Sequence, residues 1–374
     1  MRWQPKRLDQ LGAVSRGRSR HRPRDAAHLY GGPHPFIQTG DVKHAGLYIN
    51  DHTQTYSDAG LAQSKLWPAG TLCITIAANI ADTAILGIDA CFPDSVIGFT
   101  PDPHEADARF VKYLFDATIK RRAQQFSQGA TQDNLSQEKL LSLEFDVPIV
   151  AEQTRIADVL AACDQSIENN KRRMALVEKS ARLLYRDWFV RLRFPGYEHT
   201  RIANGVPKGW KRKALGESIT LNYGKALKAD IRVDGEYPVY GSSGIVGSHE
   251  KPLVKGPAII LGRKGNVGSV YWSSKSFYPI DTVYFIDAEH SNLYLYYALK
   301  HMHFMSTDVA VPGLNRDFAY SRPLLHPPPT LLHAFLETAA PIHAQLDKLD
   351  EMSQKLRAAR DLLLPRLMSG EITV

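Results

Sequence analysis

Two long heptad patterns repeat each other along this chain at a constant offset. The first extends from Ile156 to Trp188, with its positions alternately four and three residues apart. The second extends from Phe335 to Leu367, and every position follows its counterpart in the first at the same offset, from Ile156 with Phe335 to Trp188 with Leu367. Seams of this length favour a coiled coil over a surface helix. The apolar residues that we expect to form the seam of the coiled coil are Ile156, Leu160, Ile167, Met174, Val177, Leu184, Ile342, Leu346, Leu349, Leu356 and Leu363.

Polar and helix-breaking residues interrupt these patterns. Asn170 in the first pattern fits the use of a buried polar residue to fix coiled-coil register, or marks a loosely packed position. Pro341 in the second pattern removes a backbone hydrogen bond and clashes with the preceding turn. We therefore expect a kink or break at Pro341, a regular second helix from about Ile342 to Leu364, and an end or bend at Pro365.

The regions that precede the two helices also repeat, more faintly. Trp3 corresponds to Trp210, and both regions contain short β-branched runs between Gly-rich turns. Each region has one helical stretch, at residues 110–122 and 293–305. The predicted fold class is α+β, with two tandem α/β domains, each followed by a long α-helix, and the two helices forming an antiparallel coiled coil with pseudo-two-fold symmetry. The further matched pairs are Asn79 with Asn266, Asp94 with Asp281, Val96 with Val283, and Asn134 with Asn315.

This repeat predicts both a domain order and a kind of ligand. Approximate two-fold symmetry matches the dyad symmetry of duplex DNA. A helix of about 40 residues spans about 60 Å, which is longer than the ~34 Å of one DNA turn. Two DNA-binding domains joined by such helices could therefore lie on successive major grooves. Because the copies differ, the target should be bipartite and asymmetric, with an unread spacer. The predicted segments are a first domain at 1–147, a first helix at 148–194, a Gly- and Pro-rich linker at 195–209, a second domain at 210–329 and a second helix at 330–374.

Charge and composition permit such a ligand without demanding it. The net charge is +7, and Arg16, Arg18, Arg20 and Arg22 occupy every second position of one segment. In an extended loop these arginines would face one side, either as phosphate contacts or as a solvated basic loop. The N-terminus is polar and no apolar run is long enough to span a membrane, so a cytoplasmic location is expected. Three scattered cysteines favour neither a disulfide framework nor a zinc site.

Motifs for catalysis are not recognisable in the sequence. The segment GRKGNVG at 262–268 lacks the terminal Lys-Ser/Thr of a P-loop. The run of Pro327, Pro328 and Pro329 lacks the flanking residues of an amino-methyltransferase loop. Asp41 and Lys43 have no upstream carboxylate to complete a nuclease motif, and two residues two apart on a helix, as His301 and His303 would be, face different sides. We therefore expect no metal site and no activity from the chain alone.

Three segments carry a resemblance to a known family. They are RDLLLPRLMSGEI at the C-terminus, ARLLYRDWFVRLRFPGYE in the middle, and VPGLNRDFAYSRPLLHPPP before the second helix. With them the chain resembles the specificity subunits of type I restriction-modification systems over its whole length. The resemblance implies two target-recognition domains, double-stranded DNA as ligand, and two methyltransferase and two motor-nuclease subunits as partners. S-adenosylmethionine, ATP and Mg²⁺ would then be bound by those partners and not by this chain.

Candidate DNA contacts follow from side-chain chemistry. Cations and amides on Gly-rich loops suit phosphates, whereas amide, guanidinium and hydroxyl groups suit base edges. Each has a plain structural alternative, because Asn in a Gly-rich turn is often present for its backbone conformation. The candidates are Arg16, Arg18, Arg20, Arg22, Gln38, Asn79, Gln132 and Asn134 in the first region, and Tyr240, Ser242, Ser243, Arg263, Lys264, Asn266, Asn315 and Arg316 in the second.

The end of the first helix is a candidate partner surface. Arg186, Trp188 and Phe189 there either cap the coiled coil or form part of a methyltransferase docking surface. Two alternatives to the main hypothesis stay open. One is a related system in which a single partner both methylates and cuts, and the other is a coiled-coil scaffold whose globular domains bind protein.

Overall fold

A computed structural model describes residues 3–77, 81–120, 136–302, 304 and 313–374. The chain forms two compact units, one comprising residues 1–171 and 351–374 and the other residues 172–350. Each unit therefore contains one globular region together with parts of both long helices. Among the described residues, no helix has the length and apolar character needed to cross a membrane.

Within its described residues, unit 1 contains eleven strands and four short helices. Helical turns at Leu8–Gln10, Ala27–Leu29 and Asp116–Lys120 join some of these elements. The strands are β1 (Gln4–Arg7), β2 (Gly12–Arg16), β3 (Tyr30–Phe36), β4 (Tyr48–Ile49), β5 (Gln54–Tyr56), β6 (Leu66–Trp67), β7 (Leu72–Thr75), β8 (Thr83–Leu86), β9 (Ala90–Cys91), β10 (Val96–Pro101) and β11 (Glu144–Val147). The short helices are α1 (Thr39–His44), α2 (Asp58–Ala62), α3 (Ala108–Phe115) and α4 (Gln137–Ser142).

The main core of unit 1 lies between α3 and a five-stranded sheet. Five strands pair in the order β2-β10-β7-β8-β4, four in the order β5-β3-β9-β6, and β1 pairs with β11. Phe110 and Phe115 of α3 are fully buried in one cluster with Phe99 of the five-stranded sheet. That cluster also contains Leu160 and Leu367 from the two long helices.

The first long helix, α5, covers Val150–Tyr185 and is followed by a π-helical turn at Arg186–Val190. Unit 2 then adds eleven strands in the part of it that the structure describes. They are β12 (Ile202–Ala203), β13 (Val206–Pro207), β14 (Lys211–Ala214), β15 (Asn222–Tyr223), β16 (Tyr237–Gly241), β17 (Gly244–His249), β18 (Ala258–Gly262), β19 (Val270–Ser273), β20 (Tyr278–Pro279), β21 (Val283–Ile286) and β22 (Pro323–His326). Its helices are α6 (Leu293–His301), α7 (Arg316–Tyr320) and the second long helix α8 (Pro329–Met368), with helical turns at Tyr197–His199, Leu215–Glu217 and Ala229–Ile231.

The sheets of unit 2 repeat those of unit 1 in reduced form. Four strands pair in the order β15-β21-β18-β19, three in the order β17-β16-β20, β14 pairs with β22, and β12 pairs with β13. The pair β14–β22 corresponds to β1–β11, because each joins the start of a globular region to the strand before a long helix. The parallel pairing of β16 with β20 likewise corresponds to that of β3 with β9.

The duplication extends to individual hydrogen bonds. Val96 pairs with Thr75 in unit 1, and Val283 pairs with Gly262 in unit 2, as expected if Val96 and Val283 are equivalent. The amide of Gly17 donates to the Val96 carbonyl, and the amide of Gly224 donates to the Val283 carbonyl. At both glycines a Cβ would lie 2.2 Å or less from a carbonyl oxygen, so neither position admits a side chain.

One predicted pair is wrong. Ser136 caps α4 by accepting from the amide of Lys139, and Asn315 caps α7 by accepting from two backbone amides. The strand that leads into each long helix begins equally far after its cap, at Glu144 and at Pro323. Asn315 therefore corresponds to Ser136, at the same offset as the heptad seams, and not to Asn134, which lies outside the described residues.

The long helices bury their seams. None of the eleven apolar seam residues is exposed. In unit 1, Leu160 of α5 and Leu367 of α8 share one core cluster, whereas in unit 2 Ala181 of α5 packs with Phe335 and Ala339 of α8. The start of α5 is thus paired with the end of α8, and its end with the start of α8, so the helices run antiparallel.

The expected interruption of the second helix is absent. Helix α8 is continuous from Pro329 to Met368, so the predicted break at Pro341 and the limits near Ile342 and Leu364 are wrong. Pro341 is exposed, so its ring meets no packed neighbour there, while the adjacent Ala339 and Ile342 both contact the unit 2 core. Apolar packing on both sides outweighs the loss of one backbone hydrogen bond.

Candidate nucleic-acid interface

The Gly-rich turn at 262–268 projects cations from the second globular region. It links β18 to β19, and the amides of Arg263 and Lys264 both donate to the carbonyl of Thr282. Gly265 and Gly268 adopt positive φ angles, +76° and +78°, which glycine alone adopts without strain. Lys264 and Asn266 are exposed as a result. Both side chains therefore have the accessibility that a DNA contact requires.

A second segment lies beside this turn. Lys264 forms a β-bridge with Gly313, and the amide of Leu314 donates to the carbonyl of Arg263 over 2.8 Å. This contact brings Arg316, at the start of α7, close to the turn. The predicted candidates Arg263, Lys264 and Arg316 thus share one surface.

Tyr223 connects the arginines of that surface. The guanidinium carbons of Arg263 and Arg316 lie 5.2 and 5.5 Å from the centre of its ring, within the range of cation–π attraction. Tyr284 also meets the ring, with centroids 5.0 Å apart. Tyr223 is 51% exposed, so the cluster lies at the surface. Tyr223 was not among the residues predicted from the sequence, where its one signal is its position beside Gly224 and a following lysine.

Asn315 supports the fold at this site. Its Oδ1 accepts hydrogen bonds from the amides of Asp317 at 2.8 Å and Phe318 at 3.2 Å. An amide whose oxygen is occupied in this way cannot make the bidentate contact to adenine that reads a base edge. Asn315 is therefore a helix cap, which corrects its prediction as a base contact.

Two further candidates are wrong because they are buried. Tyr240 is 7% exposed and belongs to an apolar cluster with Val254 and Phe277. Ser242 is 8% exposed, and its carbonyl accepts from the hydroxyls of Ser269 and Tyr271. Ser242 supports the Gly-rich turn through these bonds, and neither side chain is accessible to the edge of a DNA base.

Ser243 differs from its neighbour. With Ser242 it forms the two-residue connection between β16 and β17, and its side chain is exposed. Ser243 therefore keeps the accessibility that a DNA contact requires.

The arginine-rich segment of the first region alternates as predicted between residues 16 and 20. Arg16, Arg18 and Arg20 are exposed, whereas Gly17 and Ser19 between them are buried. The Nε of Arg16 donates to the carbonyl of Asp94 over 2.9 Å.

Arg22 is also exposed, but its guanidinium is engaged with its own loop. One terminal nitrogen donates to the carbonyls of Ser19 and His21, at 2.8 Å each. Arg22 therefore stabilises the loop that carries Arg18 and Arg20.

The other first-region candidates are less accessible or lie outside the described residues. Gln38 is half-buried and precedes α1, where its backbone amide donates to the carboxylate of Asp41 over 2.8 Å and its side chain donates to Gln54. Its position fits helix capping at least as well as a base contact. The candidates outside the described residues are Asn79, Gln132 and Asn134.

The candidate partner surface at the end of α5 is in part a core. Phe189 is 4% exposed and its ring centre lies 4.7 Å from that of Tyr294 and 5.0 Å from that of Phe335. Phe189 therefore joins α5 to the second globular region, and its prediction as a docking residue is wrong. Trp188 is half-buried against Phe335, and Arg186 is exposed.

Exposed leucines on the long helices were missed by sequence analysis. Leu183 of α5 is 44% exposed and Leu362 of α8 is 71% exposed. The two are related by the offset of the heptad seams and so occupy equivalent positions in the repeat. Their positions just outside the heptad seam were visible in the sequence. The apolar pattern alone, however, does not distinguish an exposed leucine beside the seam from a buried one.

A tyrosine ties each globular region to a long helix. Tyr113 donates to the carboxylate of Asp164 over 2.6 Å, and the hydroxyl of Tyr297 lies 2.7 Å from the Nε2 of His343. His343 follows Asp164 at the offset of the heptad seams, so the same position carries a carboxylate in one copy and an imidazole in the other. Burial lowers the pKa of His343 to about 4. The histidine is therefore neutral near pH 7.

Among the described residues, no group of three or more His, Cys, Asp or Glu side chains could hold a metal ion. What the interface offers is positive charge, aromatic surface and exposed amide and hydroxyl groups. This chemistry suits recognition of a polyanion.

Comparison with known proteins places this arrangement in context. The family model described as "Type I restriction modification DNA specificity domain" matches residues 1–179 and 207–316. The chain is 23% identical to the type I restriction enzyme MjaIX specificity subunit of Methanocaldococcus jannaschii, covering all of this chain and 94% of that protein. It is 22% identical to the EcoprrI specificity subunit of Escherichia coli, over 66% of this chain and 63% of that protein.

A solved structure has a similar fold. The type I restriction-modification S subunit from M. genitalium superimposes with a TM-score of 0.61 at 18% identity, covering 98% of this chain and 96% of that one. At this identity the likeness concerns the fold alone.

Proposed function

Since this chain belongs to the family of type I restriction-modification DNA specificity subunits, whose function is recognition of a DNA target, we propose that its two globular regions read the two halves of one bipartite, asymmetric sequence. The two regions have equivalent backbone arrangements, including individual hydrogen bonds, and differ in the side chains that they expose. Equivalent frames with different surfaces suit two half-sites of different sequence.

The observation that carries this proposal is the exposed cluster on unit 2. The guanidinium groups of Arg263 and Arg316 are held over Tyr223 by cation–π contacts, and the exposed Lys264 follows Arg263 in the same turn. Guanidinium groups on a surface are the usual partners of phosphate and of guanine edges. Unit 1 presents its own cations from the segment that contains Arg16, Arg18 and Arg20.

As a specificity subunit the chain works with other subunits of the restriction-modification system. Our finer proposal is that it is itself non-catalytic and binds two methyltransferase subunits, with two motor-nuclease subunits completing the complex. The equivalent exposed leucines, Leu183 and Leu362, support two equal docking positions. S-adenosylmethionine, ATP and Mg²⁺ would be bound by those partners.

Reconstitution with the methyltransferase partner tests the proposal. We expect the complex to methylate adenine at one bipartite sequence and to bind that sequence with a steep salt dependence. Affinity should fall about 10³-fold or more between 50 and 200 mM salt if six or more phosphates are contacted. Methylation without sequence preference would remove the proposed role, and DNA binding that is absent or insensitive to salt would favour a protein-binding scaffold.

A further inference from the structure

In each globular region an arginine donates to the backbone carbonyl of an equivalent aspartate, but the two arginines come from different strands. In unit 1 the Nε of Arg16, at the end of β2, donates to the carbonyl of Asp94 over 2.9 Å. In unit 2 the Nη2 of Arg263, directly after β18, donates to the carbonyl of Asp281 over 2.9 Å. Asp94 and Asp281 are equivalent, since each lies two residues before the matched pair Val96 and Val283.

Strand register shows that the two arginines occupy non-equivalent positions. Arg16 pairs with Ile97, the residue after Val96, whereas Tyr223 pairs with Tyr284, the residue after Val283. Tyr223 thus occupies in unit 2 the place that Arg16 occupies in unit 1.

The position of Arg263 likewise carries a different residue in unit 1. Arg263 follows Gly262, which pairs with Val283, and Ile76 follows Thr75, which pairs with Val96. Ile76 is buried and apolar at the position that carries Arg263 in unit 2. Each region therefore keeps one arginine at this carbonyl, supplied by one strand or by the other.

An arginine held in this way is suited to an anion. The Asp94 carbonyl accepts from Nε of Arg16, and within the described part of the chain the two terminal nitrogens of Arg16 have no hydrogen-bond partner. The Asp281 carbonyl engages Nε and Nη2 of Arg263 and leaves Nη1 outside this contact. The carbonyl fixes each side chain, while the positive charge keeps access to solvent: Arg16 is exposed and Arg263 is only half-buried. Such preorganisation lowers the entropic cost of binding.

We propose that Arg16 and Arg263 are equivalent phosphate contacts, which set the position of each globular region on its own half-site. This inference rests on the proposed function. A contact that is common to two regions reading different sequences cannot itself discriminate between bases, whereas phosphate contacts fix position without reading sequence. At Arg263 the carbonyl also occupies the Nε–Nη2 edge of the guanidinium, one of the edges that can make a bidentate guanine contact.

Substitution with glutamine separates the charge from the tether. In Arg16→Gln and Arg263→Gln the amide can still donate to the carbonyl, but the positive charge is lost. We expect the slope of log K against log salt, measured with the methyltransferase complex on duplex DNA, to fall by about 0.9 for each variant and about 1.8 for both together. Affinity should fall equally for cognate and unrelated DNA, and the methylated sequence and the melting temperature should not change.

The matched control is Arg201→Gln, which removes an exposed arginine from the segment between the two regions. Its salt slope should equal that of the wild type. If either site variant melts lower without a change in slope, the arginine is only a structural tether and the proposal is overturned. A changed methylation sequence with an unchanged slope would assign the arginine to base reading and would overturn it as well.

Moving the arginine between strands gives a stricter test. Arg263→Ile should reduce the salt slope by about 0.9, and Tyr223→Arg combined with Arg263→Ile should restore it by rebuilding in unit 2 the arrangement of unit 1. Failure of the double variant to regain the slope, while it keeps the wild-type melting temperature, contradicts the proposed equivalence. If the wild-type complex itself binds no DNA specifically, the proposed function fails; if it binds normally and the glutamine variants match it, the inference alone fails.

Discussion

At the scale of single residues, Tyr223 orders the cationic cluster of unit 2. Exposed cation–π pairs each contribute about 0.5–1 kcal/mol, and Tyr223 makes two. We expect Tyr223→Ala to weaken DNA binding by about 5- to 30-fold, because Arg263 and Arg316 lose their common support. Tyr223→Phe keeps the ring and should bind like the wild type. Affinity from fluorescence anisotropy checks both, and equal binding by the alanine variant would contradict the role given to the ring.

His343 makes the stability of unit 2 depend on pH. Its pKa is lowered from 6.5 to about 4, mainly by burial, with Glu178 raising and Lys300 lowering it. Above about pH 6.5 the histidine is neutral in both states and contributes no pH dependence. As the pH falls below 6.5 the unfolded chain binds the proton first, so the folded state loses stability until about pH 4. The expected loss between pH 8 and pH 5 is about 2 kcal/mol.

The variant His343→Gln tests this dependence. Glutamine keeps an acceptor for the hydroxyl of Tyr297 but does not titrate, so the fall in free energy of unfolding from pH 8 to pH 5 should be about 2 kcal/mol smaller than in the wild type. Urea unfolding at the two pH values measures this difference. An equal fall in both proteins would show that His343 is not the titrating group.

Side-chain chemistry in the sequence identified some interface residues and not others. Lys264, Asn266 and Arg316 follow from the composition of Gly-rich turns, because cations and amides there have few apolar neighbours to cover them. Tyr240 and Phe189 could not be judged in this way, since an aromatic residue beside a turn or at a helix end suits a core as well as a surface. Only tertiary packing distinguishes the two.

At the scale of elements, α8 contains a proline that lowers the stability of the helix. Pro341 lies in the interior of the helix and is exposed. Pro341→Ala should restore the backbone hydrogen bond to Glu337 and raise the free energy of unfolding by about 1–3 kcal/mol. Chemical denaturation measures the change. As a control, Thr338→Ala alters another site of the same helix without restoring a bond; an effect of Pro341→Ala no larger than that of this control would mean that the proline costs α8 nothing.

The equivalent leucines on the two long helices give a separate prediction. Leu183→Glu and Leu362→Glu place a charge where each helix exposes apolar surface, so each should weaken binding of one methyltransferase subunit by about tenfold or more, and the double variant should bind neither. Analytical ultracentrifugation with the partner gives the stoichiometry. Leu176→Glu is the matched control, because Leu176 is also exposed on α5 but its equivalent in α8 is Lys355. Two bound subunits on the double variant would place docking elsewhere.

At the scale of the whole molecule, the sequence predicted the plan of the fold from its internal repeat. The constant offset between the seams was unambiguous, because a heptad seam depends only on apolar periodicity. Ser136 and Asn315, which cap two short helices, are related by the same offset. Because one cap is a serine and the other an asparagine, this equivalence was not recognisable in the sequence. Continuity of α8 through Pro341 could not be foreseen either, since propensity is local and the packing that overrides it is not.

The modular plan leads to a last prediction, which concerns the target sequence as a whole. Replacing residues 1–147 by the corresponding domain of another specificity subunit should change one half of the methylated sequence and leave the other half and the spacer length unchanged. The spacer length should persist because the long helices, Val150–Tyr185 and Pro329–Met368, are retained.

The chimera should keep a tyrosine at the position of Tyr113, because the carboxylate of Asp164 on the retained helix accepts its hydroxyl. Genome-wide mapping of methylated adenines reads both halves of the target at once. Replacing residues 210–328 instead is the reciprocal experiment and should alter only the other half. If either exchange altered both halves, the two globular regions would have to read DNA jointly, and the exposed surface of each region could not by itself determine a half-site.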